Sequence, residues 1–324
     1  MSKVKSDPPF TWPRESQSDL EAAFESAGAG RPVKMKHALS RLACVSALLL
    51  LAACGPSNRG RQFENSTVPP GVQYMGKIWT WNIYESSGVA ASPRHPGVFW
   101  THNDGGGHNP DVLFAIKRNG SYIGRWKVTG SRLVDWEDIT VGTNGDLLIS
   151  DIGDNRHLRR HIMVHRIKEP DPGKGSGTVP IEQTWILTYP KGPRNAEAMF
   201  TLGTNCYLIS KRAPEPAEVY RFALSTNKEP QTLELIAELD IATLVTGAAL
   251  SPNGRTLALV AAAGAFAYRI DGDVERLRGL APCHLTKFPN LRIEGCTFVP
   301  EGLLATSETR HIYVFTNEVF RPGN

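Results

Sequence analysis

From residue 72 onward the chain reads as short runs rich in Val, Ile, Tyr, Phe and Trp, each closed by a polar turn carrying Gly, Asn, Asp or Pro. A helical period of 3.6 is hard to find, so the runs are expected to be β-strands. They recur in five units of about fifty residues with a common layout. The first unit reads GVAAS, GVFWTHND, VLFAIKRNG, SYIGRWKVTG. The second reads EDITVG, DLLISDIGDN, HIMVHRIKEP, IEQTWILTYP, and the third EAMFTLG, CYLISKR, EVYRFALST, TLELIAELDI. The fourth has GAALSPNG, RTLALVAAA, AFAYRIDG and a less regular VERLRGLAPCHL; the fifth has EGCTFVPEG, LLATSETR and HIYVFTNE, and then ends.

The turns agree with this division. The first hairpin of each unit turns at Pro96-Gly97, Asn144-Gly145, Thr204-Asn205, Asn253-Gly254 and Glu301-Gly302. Most of these residues tolerate the positive φ of tight hairpins. Four strands at such spacing suggest the blade of a β-propeller. The fifth unit lacks its fourth strand, whereas Val72 to Asn82 supplies a strand with no unit of its own. Placing that segment as the outer strand of the fifth unit closes the ring and pairs two edges that would otherwise lie open. The expected fold is therefore all-β, a propeller of five four-stranded blades over residues 71–324. A six-bladed ring is the alternative if Lys168 to Pro180 holds further strands.

This topology brings the starts of first strands and the ends of second strands to one mouth near the axis. The starts offer Glu85 with Ser87, Glu137 with Asp138, Glu197, Thr246 and Glu294. The ends offer His102-Asn103-Asp104, Asp151 with Asp154 and Asn155, Lys211-Arg212, a bland Ala261-Ala262-Ala263, and Glu308 with Arg310. Crowded carboxylates repel and need protons, basic partners or a cation. Glu137, Asp151, Asp154, Glu197 and Glu294 are the candidate ligands for Ca²⁺ or Mg²⁺, which take oxygen donors. His102, Asn103, Asp104, Lys211, Arg212 and Glu308 are the candidate ligand-binding residues. The competing reading makes the acids strand-end caps paired with Lys211, Arg212 and Arg310. In the Gly-rich loop that follows, His102 and His108 could act as bases or metal ligands, or the loop could be a wide turn. Arg156, His157, Arg159, Arg160 and His161 form a basic run that could attract an anion or lie in solvent.

Composition narrows the function classes. With 36 Lys+Arg against 32 Asp+Glu, the net charge of +4 gives no broad basic surface for nucleic acid. The sequence carries no G-x-S-x-G elbow, HExxH or CxxC. Five cysteines are too few for a disulfide scaffold. Cys206 falls mid-strand as a small buried hydrophobe, and Cys283 and Cys296 could bridge in an oxidising compartment.

Residues 35–54, MKHALSRLACVSALLLLAAC, join a basic start (Lys36, His37, Arg41) to an apolar stretch from Leu42 to Ala53. The stretch is too short to span a bilayer as a helix. Its end, Leu51-Ala52-Ala53-Cys54, resembles the lipobox of bacterial lipoproteins. That resemblance implies a signal peptide over 35–53, cleavage before Cys54, lipidation of its thiol and acylation of the new amino group. Several acyl chains anchor stably where one does not. Gly55 after the cysteine implies sorting to the outer membrane of a Gram-negative bacterium, facing the periplasm. Residues 1–34 are expected to be a non-native extension, with translation starting at Met35, and 54–70 the lipidated cysteine and a flexible tether. Without residues 1–53 the chain carries 29 basic and 27 acidic side chains, a net +2.

The strings Trp100-Thr-His-Asn-Asp104, Asp135-Trp-Glu-Asp138, Asp151-Ile-Gly-Asp-Asn155 and Tyr189-Pro…Asn195-Ala-Glu-Ala198 resemble a group of secreted bacterial β-propeller proteins of largely uncharacterised activity. The likeness covers roughly residues 85–212, with Asn195 where the group has Asp and Gly105-Gly106 where it has Ser-Gly. Wider kinship to phytase-like and lactonase-like propellers implies divalent-cation-dependent hydrolysis. The expected function is a monomeric, membrane-anchored periplasmic lipoprotein that binds a small ligand or a divalent cation at an acidic axial mouth. A metal-dependent hydrolase of a phosphoester, ester or lactone, and an envelope scaffold for another protein, are the alternatives.

Overall fold

A computed structural model describes residues 68–105, 111–130, 134–241, 243–287 and 291–319. The segment expected to be a signal peptide, Cys54, the expected tether up to residue 67 and His108 lie outside the described residues. The described chain is all-β, with 21 strands in four sheets. After β1 (Val72–Lys77) come β2 (Val89–Ala91), β3 (Val98–His102), β4 (Val112–Lys117) and β5 (Tyr122–Thr129). Next are β6 (Trp136–Val141), β7 (Leu147–Asp151), β8 (Ile162–Ile167) and the long β9 (Ser176–Thr188). The third group is β10 (Ala196–Leu202), β11 (Asn205–Ser210), β12 (Ala217–Ala223), the short β13 (Gln231–Thr232) and β14 (Glu234–Leu239). Then follow β15 (Val245–Leu250), β16 (Thr256–Ala261), β17 (Gly264–Arg269) and β18 (His284–Lys287). The last three are β19 (Ile293–Val299), β20 (Gly302–Ser307) and β21 (His311–Thr316).

Each group is an antiparallel meander in chain order. The first two are fused, because the first half of β9 pairs in parallel with β5, and the short β13, which pairs in parallel with the end of β9 and not within the third meander, brings that sheet to nine strands. Residues 176–180 thus extend an existing strand and supply no further meander; their second partner is β5, while Ile181–Leu187 pair with β8. At the other end, β1 pairs antiparallel with β21 as the outer strand of the sheet β1-β21-β20-β19. The N-terminal strand therefore takes the place that the missing fourth strand of the last unit leaves. In the fourth unit, Val274–Leu277 forms a 3-10 turn instead of a strand. Asp273 caps it by accepting from Glu275 N, and Val274 and Leu277 pack into the core, so the outer strand β18 starts only at His284. The turns use positive φ at Gly97, Gly145, Gly254 and Gly302, but in the third unit at Gly203 rather than at Thr204-Asn205.

Five apolar clusters hold neighbouring meanders together. Trp100, Leu113 and Trp126 meet Trp136, Ile139 and Ile149 in one; Phe200, Tyr207 and Ile209 meet Leu257, Phe266 and Tyr268 in another. The second and third meanders share Trp185, Leu187 and Met199, the fourth and fifth share Val260, Cys296 and Phe315, and Phe99 and Phe114 meet Leu304 and Val314 where last faces first. Strands such as β7 are buried along their whole length, which is why they read as continuous apolar runs instead of alternating.

The first strands of the groups, β2, β6, β10, β15 and β19, are neighbours in that order and β19 returns to β2, a β-propeller-like arrangement. They approach closely. A Cβ on Gly295 would stand 2.6 Å from Val89 N, and one on Gly88 2.8 Å from Asp138 Cα. In four of the five, the pairing to the second strand slips by one residue at the same place: Glu137, Glu197, Thr246 and Glu294. A β-bulge re-aims the side chain of its extra residue. The aligned position of the first group is Ser87, just ahead of β2.

Candidate functional site

Three of the bulged residues, Glu137, Glu197 and Glu294, line a cavity of ≈ 90 Å³ together with Glu85, Ser87, Asp104, Asn155, Lys211 and Glu308. Six carboxyl groups share this space with one ammonium. Lys211 Nζ lies 2.6 Å from Glu197 Oε1 and 2.5 Å from Oε2. Burial works against the Lys211 charge, but Glu197, Glu294 and Glu137 outweigh it and hold its pKa above the usual lysine value. Burial likewise raises the Glu197 carboxyl, with Lys211 opposing. The remaining acids have less relief. Burial, then Asp135, Glu85 and Glu197, push Asp104 up to about 7. Burial, then Glu197 and Glu308, push Glu294 up to about 9 despite Lys211. Glu137, buried beside Glu197, Asp104 and Asp135, lies well above the ordinary glutamate range.

On one side of the cavity, oxygens of Asp104, Asp135 and Glu137 lie within 4.8 Å of one another. Asp135 is not among the residues that sequence reasoning selected for the site. It stands just before β6, and the pairing of Asp135 with Glu137 in the Asp-Trp-Glu-Asp string is the signal that marks it. Three carboxylates converging where Lys211 is already engaged with Glu197 suit a hard divalent cation, which takes oxygen ligands.

Asp151 and Asp154 do not line the cavity, contrary to their expected place as metal ligands. Asp151 accepts from Val134 N and Asp135 N, each at 2.9 Å, and from Arg159 Nη2 at 2.8 Å. Burial would raise its pKa, but His165, Arg159 and those two amides together bring it below the usual range. Asp154 accepts from Leu158 N and Arg159 N, both at 2.9 Å. The Arg159 guanidinium also donates to the carbonyls of Gly153 and Asp151. The Asp151–Asn155 string is thus a brace under the cavity. At its centre a Cβ on Gly153 would overlap Glu137 Oε1 and Asp135 Oδ2, so only glycine lets the loop support both carboxylates so closely. Asn195 ties the brace to the next group: its Oδ1 accepts from Asp154 N at 2.8 Å, and its Nδ2 donates to Asn155 Oδ1 and Glu197 Oε1.

Of the candidate ligand-binding residues, Asp104, Lys211 and Glu308 reach the cavity. His102 is buried, its ring edge-on to Trp136 and its Nδ1 2.8 Å from Asn103 O. Burial lowers its pKa to about 4, so it is neutral at pH 7 and packs as part of the core. Asn103 donates to Asn82 O and accepts from Tyr84 N. Arg212 pairs with Glu218 at 2.9 Å, outside the cavity lining. Arg310 donates to the carbonyls of Thr80 and Ile83. Asp138, wholly buried, accepts from Ile139 N and Met199 N and so links β6 to β10 below the cavity. Cys206, Cys283 and Cys296 are free thiols, so the bridge considered for the last two is not formed.

A second, larger cavity of ≈ 640 Å³ follows later residues of the same first strands, among them Ala90, Thr140, Leu202, Ala249 and Thr297. Its lining contains no charged side chain.

No protein-family model and no curated protein matches the chain. Among solved structures, it is similar to the nidogen/laminin complex at 13% identity and a TM-score of 0.43, covering 68% of this chain and 72% of that one. A gluconolactonase from Xanthomonas campestris matches at 14% and 0.41, covering 74% and 86%. A protein of unknown function from Bacteroides caccae matches at 11% and 0.39, covering 68% and 70%. Likenesses of this order carry no functional argument.

Proposed function

We propose that the chain is a five-bladed β-propeller lipoprotein, anchored through Cys54 at the periplasmic side of the outer membrane, whose axial cavity binds Ca²⁺ or Mg²⁺ together with a small ligand. Five first strands that neighbour one another in a closed order, and five apolar clusters between successive meanders, support the five-blade reading. The lipobox-like Leu51–Cys54 supports the anchor. The observation that carries the binding site is the convergence of Asp104, Asp135 and Glu137 beside further carboxyls, held up in pKa by burial and mutual repulsion. A bound divalent cation relieves that repulsion. Calorimetric titration of the EDTA-stripped full chain in detergent with Ca²⁺ and with Mg²⁺ tests this. Binding by wild type and its loss in Glu137→Gln and Asp135→Asn is expected; no heat from either ion at millimolar concentration rejects it.

A metal-dependent hydrolase of an ester or lactone is the second reading, favoured by Glu294. Its carboxyl, raised to about 9, is protonated at neutral pH in the cavity that would hold the cation, where it could donate a proton to a leaving oxygen. Turnover of any ester or lactone by wild type but not by Glu294→Gln, with cation binding intact in both, distinguishes this reading from a binding protein.

A further inference from the structure

The five first strands carry a second ring of side chains at the end away from the carboxylates. Four residues after the bulge positions and the aligned Ser87 stand Ala91, Val141, Thr201, Leu250 and Phe298. All five are half-buried and line the ≈ 640 Å³ cavity. At about 3.3 Å per residue, this ring lies about 13 Å along the strands from Glu137, Glu197 and Glu294. Between the two levels the strands draw together: a Cβ on Gly247 would stand 2.3 Å from Glu294 O. The chemistry of the ring is the opposite of the acids. Ala91, Val141, Leu250 and Phe298 are apolar, and the Thr201 hydroxyl is engaged in donating to Val141 O at 2.9 Å. Elsewhere in the lining, Thr297 Oγ1 accepts from Ala91 N at 3.1 Å, and Ser251 Oγ donates to Asn253 Oδ1 at 2.8 Å. No charged side chain of the described residues lines the cavity, so an ionic group placed there would lose water and gain no partner. The volume is that of a small-ligand site, roughly 300 to 1,000 Å³. Its occupant must be uncharged and mainly apolar.

The chain enters the domain at this same end. Val68, the first described residue, packs on the apolar cluster that holds the lining residues Ala249, Cys296 and Phe298. Gly71 O accepts from Thr316 N at 2.9 Å, and Asn317 N donates to Glu301 O at 2.8 Å in the turn that follows β19. Lys77, at the far end of β1, pairs instead with His311, close to the turn that carries Glu308. Val68 comes fourteen residues after Cys54, a length of chain that spans at most about 50 Å. An anchor at Cys54 therefore keeps the apolar end of the axis near a membrane, which is a reservoir of uncharged acyl chains.

We propose that the ring of Ala91, Val141, Thr201, Leu250 and Phe298 is a binding site for one acyl chain of a membrane lipid, with the lipid's head left at the mouth. The choice of a membrane lipid rests on the anchor reading above; the uncharged, apolar character of the cavity does not. The full chain, kept in CHAPS, a detergent without an acyl chain, is incubated with 1-palmitoylglycerol and weighed by native mass spectrometry. One bound copy per chain is expected. Val141→Asp and Leu250→Asp each place a carboxylate in the ring and should weaken binding by about tenfold or more while the far-UV spectrum stays native. A palmitoylglycerol with a diazirine at its tail needs no variant: its light-induced adducts should fall within residues 89–91, 139–141, 201–203, 248–254 and 296–298. No bound copy, wild-type binding by both variants, or adducts confined to other residues overturns the proposal. Binding by Cys54→Ser but not by wild type shows the chain's own anchor filling the cavity and overturns the proposal of a free lipid. Crosslinking of Leu250→p-benzoylphenylalanine to a protein and not to lipid in intact cells overturns it in favour of a protein partner. The same spectrum reports lipidation. Palmitoylglycerol bound to a chain whose Cys54 is unmodified supports the cavity and rejects the anchor reading alone, whereas a lipidated chain that binds none, with or without Cys54→Ser, rejects the cavity alone.

Discussion

Raising the pH from 7 to 9 in EDTA should destabilise the protein, with Glu294 as the main cause. Its folded pKa of about 9 stands above the ordinary value of 4.5 because the carboxyl is buried beside Glu197 and Glu308, with Lys211 as the one opposing charge. Glu308 is itself paired with Arg292 at 2.8 Å. A carboxyl whose pKa is raised on folding binds its proton more tightly in the native state, so its contribution is complete below the unfolded pKa and disappears as pH passes the folded one. At pH 7 about two pKa units of that preference remain, and at pH 9 almost none. At about 1.4 kcal/mol per unit, the loss is about 2 kcal/mol. For a domain of this size that corresponds to a fall in Tm of roughly 4–8 °C. The window also takes in Asp104, raised to about 7, which adds a smaller loss of the same sign, but it avoids His102, lowered to about 4, whose neutral burial makes stability rise with pH only up to its unfolded value near 6.5. It also avoids Asp151, which acts at acid pH. Differential scanning calorimetry at pH 7, 8 and 9 measures the slope, and Glu294→Gln, isosteric with the neutral acid, should flatten it without lowering Tm at pH 7. A wild-type Tm that is level or rising from pH 7 to 9, or a slope unchanged in Glu294→Gln, refutes the reasoning.

Gly153→Ala should abolish Ca²⁺ binding by calorimetry while the far-UV spectrum stays native, because the added methyl displaces the carboxylates of Glu137 and Asp135. Arg159→Ala leaves the buried Asp151 charge without its guanidinium partner and should cost about 3–5 kcal/mol in urea unfolding. Of the three described thiols, Cys283 alone should react with a maleimide in the native state, since Cys206 and Cys296 are buried. Cys54→Ser should move the protein from the membrane pellet to the soluble fraction, because it removes the thiol proposed as the lipid acceptor.

The strand order was largely legible because each meander carries its own punctuation. Gly97, Gly145, Gly254 and Gly302 mark hairpins that must adopt positive φ, and the runs between them are too uniformly apolar for an exposed surface. The role of the first strand could be read from arithmetic alone, since Val72–Lys77 and the incomplete last unit each lack what the other supplies. What could not be read was local. Nothing in the composition of residues 176–180 says that β9 continues past its own meander to pair with β5. The fourth unit hides its outer strand behind a 3-10 turn, because Val274 and Leu277 satisfy the core as well from a helical turn as from a strand.

The site shows the same division between type and place. Acidic residues at strand starts and ends were visible as a class, but strand ends in sequence do not distinguish a carboxylate facing a cavity from one facing its own loop. Asp151 and Asp154 are as acidic as Asp135 and Glu137. They differ in what lies within hydrogen-bond reach: Asp151 and Asp154 each find two backbone amides, and Asp151 also finds the Arg159 guanidinium. Asp135 and Glu137, together with Asp104, meet chiefly other acids. Asp151 is thereby held below the usual carboxylate range, whereas burial and neighbouring acids raise Asp135 despite Arg159 and Glu137 despite Lys211. Both halves need the same glycine, since Gly153 N donates to Asp135 O at 3.2 Å and the space where its Cβ would stand is filled by the acids above. The Asp-Ile-Gly-Asp-Asn string thus works on the site by positioning, and the carboxylates that converge above it are those of Asp104, Asp135 and Glu137.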